Sequence, residues 1–348
     1  MASLSVDKST KVMTGTPAQQ MAQTPLREVA ENIYQLRQPL PFALNHVNCY
    51  LLRDSDGWTI LDAGLNRPEL RERWQTAWHE LGIDPRRIQR IVLTHMHPDH
   101  FGLAGWLQEQ TGAQVLLSPR EIDVARVTWL EDITPSRAEA VARYMHAAGV
   151  GPDVATVITT QQDYLRTLTY PHPRSIVALR PGATIDMGGR HFTAIHAPGH
   201  ADGQLIFYSA ADCLMLCGDQ ILQRITPNIG VWPTTEPDPL ARYLHSLEQL
   251  AVLEVDLALS GHYAPIVDWQ ARIAQLQAHH AERIEAVFAA AQPGATALEV
   301  SYAIFDYDRF SQHEVRFAVA EALAHLEYLV EQGRLHRAET PAARIYAP

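Results

Sequence analysis

The sequence predicts a layered α/β domain followed by a small, mostly helical C-terminal unit, and three observations predict it. Apolar strand-like runs alternate with helix-like stretches from Glu28 onward. Several of those runs end in a small residue and then a His or Asp. At 348 residues with 47% hydrophobic content, the chain is long enough for a large core and for more than one unit.

Residues 1–25 are rich in Ser, Thr, Gln and Lys, show no periodicity and lack the apolar segment of a signal peptide, so a tail is expected there. Ile33–Leu36, Val47–Arg53 and Trp58–Leu61 read as strands. The Asp54-Ser55-Asp56-Gly57 turn between the last two predicts a hairpin, so the first sheet starts antiparallel. A helix over Arg67–Leu81 and strands over Gln89–Thr94 and Ala113–Leu117 follow, the latter two separated by a helix over Phe101–Gln108. Residues 119–180 break this rhythm and read as helices: Pro119–Leu130, Thr134–Gly149 and one from Asp153 to Thr160 or beyond. Inserted between two strands, they are expected to roof whatever the strand ends carry.

The densest chemistry is Thr94-His95-Met96-His97-Pro98-Asp99-His100 at the end of the run Ile91-Val92-Leu93. His95 and His97 are two apart in extended chain, so both imidazoles leave the same side. Pro98 turns the backbone and brings in Asp99 and His100. Four ligand-type side chains in six residues make a poor core and a good metal nest. Three further candidates recur in the same context. His200 follows Pro198-Gly199, Asp219 closes Leu214–Gly218, and His262 closes Val255–Gly261. Strand ends of a layered α/β protein open onto one edge, where such groups can converge.

This set resembles the metallo-β-lactamase superfamily, whose H-x-H-x-D-H motif is matched by His95, His97, Asp99 and His100. The resemblance covers roughly residues 28–270 and includes His200, Asp219, His262 and the strand-end Asp62. It implies an αββα sandwich of two packed sheets. It also implies that His95, His97 and His200 hold one metal, that Asp99, His100 and His262 hold a second, and that Asp219 bridges them. Asp62 would orient a ligand rather than bind metal. The chemistry implied is hydrolysis by a hydroxide held between two divalent cations about 3.5–4 Å apart, with Asp99 and Asp219 the catalytic carboxylates. A Glu in place of His97 would resemble the di-iron reductases, and a Cys in place of Asp219 the true β-lactamases. The ligand set is instead of the glyoxalase II type. Zinc is the first expectation for the metals, and iron or manganese can occupy such a cage.

For substrate, an acyl thioester or a related ester or lactone is expected, because the aromatic and Leu-rich roof with scattered Arg offers no compact phosphate pocket. Two alternatives come from other classes: a mononuclear-iron oxidoreductase resembling persulfide dioxygenases, and a nuclease acting on RNA or DNA. The segment Gln220–Ile229 is expected to wall the pocket. His46 is expected to be a surface or strand-packing residue, with a place near the pocket mouth as the alternative, and His191, His279 and His280 to face solvent.

The C-terminal unit is expected over 276–348, after a catalytic domain spanning 26–275. A helix over Ala281–Ala291 is stopped by Pro293-Gly294, and Thr296 caps a short helix through Ala303. Ser311-Gln312-His313-Glu314 reads as a capping box that opens a helix to Gln332. Strands over Arg334–Ala338 and Ala343–Tyr346 complete what resembles the winged-helix appendage of one branch of the superfamily. From Ala281 onward six arginines face ten carboxylates, a net −4 within a chain of −11, which has the wrong sign for phosphate contact. A packing or dimerisation module is therefore expected, with a small-molecule substrate, no nucleic-acid partner and a homodimer as the candidate assembly. No apolar run reaches 18 residues, so no membrane span is expected. Cys49, Cys213 and Cys217 are few and odd in number, which suits a reducing, cytoplasmic location.

Overall fold

The computed structural model describes residues 25–42, 44–310 and 312–348. The expected N-terminal tail lies outside them apart from Pro25, as does Ser311 of the expected capping box.

Two sheets form the centre. The first has seven strands in sequence order: β1 (Leu26–Ala30), β2 (Ile33–Pro39), β3 (His46–Arg53), β4 (Trp58–Leu61), β5 (Ile88–Val92), β6 (Gln114–Leu117) and β7 (Ile176–Ala178). β1 to β4 pair antiparallel and β4 to β7 parallel. The second sheet runs β12 (Leu257–Ser260), β11 (Leu214–Gly218), β10 (Leu205–Ser209), β9 (Arg190–His196) and β8 (Thr184–Met187). All its pairings are antiparallel except that of β11 with β12.

The period-2 alternation of side chains divides each strand between two cores. In β3, Tyr50 and Leu52 pack with Phe192, Leu205 and Phe207 of the other sheet. Cys49 and Leu51, between them, face Trp74, Trp78 and Leu107 of the helices α1 (Pro68–Glu80) and α3 (Ala104–Thr111). In β10, Ile206 turns the opposite way from its neighbours and joins a third cluster with Leu240, Leu247, Trp269 and Val319. Helix, sheet, sheet and helix are thus stacked in four layers, the αββα sandwich.

Helix α2 (Pro98–Phe101) opens directly after the His-x-His segment. In the segment 119–180, α4 (Pro119–Ala125) gives way to a π-helical turn over Arg126–Leu130, where one unbroken helix was expected. There the Trp129 indole N–H donates to the Met96 carbonyl at 2.8 Å, tying the insertion to the His-x-His loop. α5 (Pro135–Ala147) and α6 (Pro152–Thr167) complete the segment. α7 (Pro239–Ala251) had no sequence expectation, although Asp238 caps it by accepting from the Ala241 N–H at 3.0 Å.

α8 runs unbroken from Trp269 to Ala291, twelve residues earlier than the helix expected at Ala281, and passes through the expected boundary at 275–276. Its buried positions Trp269, Ile273, Leu276, His280, Ile284 and Val287 recur at helical spacing along one face. His280 is therefore buried rather than solvent-facing, stacked on His325 and edge-on to Tyr243, and His279 is half-buried. α9 (Ala297–Ile304) begins with a capping box between Thr296 and Glu299, α10 spans Gln312–Glu331, and β13 (His336–Glu339) pairs with β14 (Arg344–Ala347). One apolar cluster runs from β10 and β11 through α7 and α8 into α10 and Tyr346, so the C-terminal elements share a core with the second sheet.

Candidate metal centre

The strand order sends the C-terminal ends of β4, β5, β9, β11 and β12, and the N-terminal end of β3, to one rim of the sandwich. Each expected site residue follows one of those ends: Asp62 after β4, His95 to His100 after β5, His200 after β9, Asp219 after β11 and His262 after β12. Their ligand atoms meet there. His95 Nε2 lies 3.0 Å from His97 Nδ1, which lies 2.9 Å from His200 Nε2. Asp219 reaches both sides, with Oδ1 3.4 Å from His100 Nε2 and Oδ2 3.1 Å from His262 Nε2 and 3.7 Å from His200 Nε2. Asp99 Oδ2 is 3.4 Å from His262 Nε2. Three overlapping groups therefore have donor atoms within 4.8 Å of one another: His95 with His97 and His200, Asp99 with His100 and His262, and His95 with His100 and Asp219.

This donor set fits metal better than it fits itself. His100 Nε2 and Asp219 Oδ1 are buried without a hydrogen-bond partner, a costly arrangement that a cation between them would relieve. Gly261 keeps the space tight. A Cβ there would overlap Asp219 Oδ1 and come within 2.8 Å of His100 Cε1, so only glycine lets the His262 loop approach.

The far side of four of the five imidazoles is satisfied. His100 Nδ1–H donates to Asp62 Oδ2 at 2.8 Å. His95 Nδ1–H donates to the Thr94 hydroxyl at 2.9 Å, and that hydroxyl donates to Asp62 at 3.0 Å. Asp62 Oδ1 also accepts from the Thr94 N–H at 2.8 Å, so Asp62 holds the outer nitrogen of His100 directly and that of His95 through Thr94. His200 Nδ1–H donates to the Asn228 carbonyl at 2.9 Å, and His262 Nδ1–H to the His46 carbonyl at 2.6 Å. These bonds fix tautomers that leave the inward nitrogens free to ligate.

Charge separates the two halves of the centre. Burial, helped by neighbouring imidazoles, pushes His95 well below the usual histidine range and His97 down to about 3, and burial also lowers His200. Around His100 and His262 burial acts in the same sense but is outweighed by Asp219 and Asp99, and at His100 also by Asp62. His100 is raised well above its ordinary value and His262 to about 10. Against their own burial, the same two histidines hold Asp99 down to about 2 and Asp219 well below the carboxylate range. His100 and His262 would have to give up those protons to hold a cation there.

Several supporting residues escaped the sequence reading. The buried Glu121, pushed up to about 7 by burial, accepts from the N–H of Met96 and that of Gly203, both at 2.8 Å, and so clamps the loops of His95/His97 and His200 together. Its signal was the Ser118-Pro119-x-Glu121 start of α4, where Ser118 caps the Glu121 N–H at 3.2 Å. Asn48 donates to the Ser260 and Tyr263 carbonyls, both at 3.0 Å, and Tyr50 donates to Ser260 at 2.7 Å, bracing the His262 loop from the other sheet. His46 is buried and accepts the Tyr263 N–H at 3.1 Å, a more specific task than strand packing.

A cavity of about 1390 Å³ adjoins His97, Asp99, His200 and Asp219. Trp129, Val141, Tyr144 and Leu165 of the segment 119–180 line it, as do Ile225 and Asn228 beyond Asp219. No helix among the described residues is long and apolar enough to cross a membrane.

The chain is similar to known proteins. The family model described as "Metallo-beta-lactamase superfamily" matches residues 43–262, and the one described as "Metallo-beta-lactamase-like, C-terminal domain" matches 284–346. A metallo-beta-lactamase family protein from Thermus thermophilus superposes with a TM-score of 0.82 at 33% identity, covering 92% of this chain and 99% of that one. A beta-lactamase domain protein from Burkholderia ambifaria gives 0.83 at 31%, covering 92% and 94%. Among curated sequences, a probable metallo-hydrolase of Bacillus subtilis is 26% identical over 86% of this chain and 92% of its own length. A hydroxyacylglutathione hydrolase of Acidiphilium cryptum is 28% identical over 62% and 70%. An acyl-coenzyme A thioesterase of Gallus gallus is 24% identical over 56% and 65%.

Proposed function

Because the chain belongs to the metallo-β-lactamase superfamily and is a metallo-hydrolase of that kind, we propose that it uses two divalent cations, zinc first, to hydrolyse an acyl thioester or a related ester or lactone. The observation that carries the dinuclear reading is Asp219, whose carboxylate stands between the three imidazoles on one side and His100 and His262 on the other. His95, His97 and His200 would hold one cation, Asp99, His100 and His262 the other, with Asp219 shared. When bound, such a pair supplies a Lewis acid and a water acidified from a pKa of 15.7 to about 7, which the chain's own side chains do not offer.

The residues of the chain do the rest. Neutral His95, His97 and His200 present lone pairs without needing to lose a proton at neutral pH. The ionised Asp99 and Asp219 would balance the positive charge of the cations. The apolar roof excludes water from the acyl part of the substrate. The ester-type substrate is supported by that roof and by the named activities of the hydroxyacylglutathione hydrolase and acyl-coenzyme A thioesterase relatives. The net −4 of the C-terminal unit supports reading it as a winged-helix-like packing module rather than a nucleic-acid reader.

The test is a panel of thioesters, lactones and phosphodiesters with wild type and Asp219→Ala, after metal analysis of protein purified without added metal. The expected result is two zinc ions per chain and thioester turnover. In the variant that turnover falls by more than the roughly hundred-fold that loss of an outer hydrogen-bond partner costs. One iron per chain, or turnover confined to phosphodiesters, overturns the proposal.

A further inference from the structure

The C-terminal helix α10 places one side chain in the substrate cavity that the hydrolytic centre does not account for. Arg316 lines the same cavity as His97, Asp99, His200 and Asp219. Its guanidinium lies 4.4 Å over the Phe317 ring and 5.9 Å from Trp232, two aromatic walls of that cavity. Arg316 Nε is sealed from solvent with no hydrogen-bond partner, and among the described residues no carboxylate pairs with the side chain. A guanidinium carries five donors in a fixed fork, and burying it unpaired is expensive. Burial lowers Arg316 to about 10, and among the described residues the ionisable neighbour acting on it is Tyr144.

A second arginine reaches the cavity from the roof, with Glu131 as a neighbouring carboxylate that acts on it. Arg137, on α5, lines the cavity and has a buried Nη1 without a partner. By contrast, Arg120 and Arg242 near the same space are already engaged, at 2.6 and 3.4 Å from Asp202. Glu131, Asp132 and Asp163 also line the cavity but are exposed to solvent, and none of them is a neighbour that shifts Arg316. Planar, stacked and lacking a counterion, Arg316 has the features of an arginine that recognises a carboxylate or phosphate.

We propose that Arg316 is an anion-binding, specificity-determining residue: the substrate carries, apart from its scissile acyl bond, a carboxylate or phosphate that docks on this guanidinium, with Arg137 as the second cation. The C-terminal unit is then a wall of the binding site. This inference rests on the ester-type hydrolase reading, so its test is made by binding rather than turnover.

The probes are non-hydrolysable ω-(methylthio)alkanoates from butanoate to decanoate, with phosphate-terminated and methyl-terminated counterparts of each length. They are titrated calorimetrically into metal-loaded full-length wild type, Arg316→Gln and Arg316→Lys. Wild type is expected to prefer an anionic probe over its methyl-terminated partner by roughly ten- to a hundred-fold at one or more lengths. Arg316→Gln is expected to reduce that ratio to about twofold or less, and Arg316→Lys to an intermediate value. The carboxylate and phosphate arms distinguish which anion the site takes. A ratio near one at every length in wild type, or one that Arg316→Gln leaves intact because the anion binds at the metals, overturns the proposal. Should Arg316→Gln not fold, Arg316→Met, which keeps the stem without the charge, takes its place, and an undiminished ratio in it overturns the proposal. Failure of the thioester panel with an intact anionic preference would instead point at the reaction.

Discussion

Asp62→Asn is the sharpest perturbation of the centre, because it changes one atom and cannot be accommodated. Asp62 Oδ1 accepts from the Thr94 N–H at 2.8 Å and Oδ2 accepts from His100 Nδ1–H at 2.8 Å. Both of those partners are donors, and an amide offers only one acceptor. If the amide oxygen faces Thr94, its NH₂ meets His100 and drives that ring to the tautomer with the proton on Nε2, the atom that points at Asp219 and Asp99. If the oxygen faces His100, the buried Thr94 N–H is left opposite another donor. The second orientation sacrifices one buried hydrogen bond, about 1–3 kcal/mol, and the first keeps both bonds but puts a proton on the His100 nitrogen that would ligate. The Thr94 hydroxyl that holds His95 is disturbed as well.

Half the cost falls on metal. Loss of an outer partner of a ligating histidine weakens affinity by roughly 10–100-fold. Metal-stripped wild type and Asp62→Asn are titrated with Zn²⁺ against a chromophoric chelator, with urea unfolding of both apo forms alongside. The half of the centre holding His100 is expected to weaken by that factor, and the equivalent held by His95, His97 and His200 by less. Wild-type affinity for both equivalents together with unchanged apo stability would refute the argument that Asp62 sets the His100 tautomer.

Two further outcomes follow from packing and burial. Gly199 sits at φ +136°, and a Cβ there would overlap Tyr243 Cβ and come within 2.7 Å of Tyr243 Cδ2. Gly199→Ala is expected to lower unfolding free energy by about 2–5 kcal/mol and to displace the adjacent His200, as read by urea titration and metal content; near-wild-type values for both would contradict it. The buried pair His280 and His325 is held neutral, at about 3 and about 4, by burial with Arg283 and neighbouring imidazoles adding to it. As pH falls below 6.5 the unfolded chain takes up protons that the folded pair refuses, so their contribution to stability declines between pH 6.5 and about 4. At 1.36 kcal/mol per unit for each group, the pair accounts for ~2–4 kcal/mol between pH 6.5 and 5. The double variant His280→Leu/His325→Leu should flatten the stability curve by that amount, and curves parallel to wild type would exclude the pair as its source.

How much of this was legible in the sequence depended on how local each residue's job is. His95, His97, Asp99 and His100 are set by one strand end and one turn, and the spacing alone aligns them. His200, Asp219 and His262 were legible because each closes a strand, and strand ends of such a sheet share a rim, whereas Asp62 was legible only through the family resemblance. Glu121, Asn48 and Asn228 were not, since each works across elements distant in sequence: Glu121 bonds Gly203 and Asn48 bonds Tyr263. His280 was misread for a different reason. The apolar face that buries it begins at Trp269, before a run of Gln, Arg and Ala that obscures the start of the helix. Arg316 looks in sequence like any charged residue on an amphipathic helix, and only the cavity beneath it gives it a role.

The same helix also reaches the metal centre. The Asn228 side chain donates to the Phe317 carbonyl at 3.2 Å and to Glu321 at 3.0 Å, while its own carbonyl accepts from His200. Val231 N–H donates to the Ala320 carbonyl at 3.1 Å, so the strand of chain behind the cavity is laid along α10. Glu321 is buried and pushed up to about 7 by that burial, and Asn228 is the side chain that bonds it. One stretch of α10, from Arg316 to Glu321, therefore carries a cavity wall on one turn and the support of His200 on the next. With a shared apolar core continuing behind it, the C-terminal unit is part of the site's construction: a shift of α10 moves the cationic end of the cavity and the orientation of His200 together.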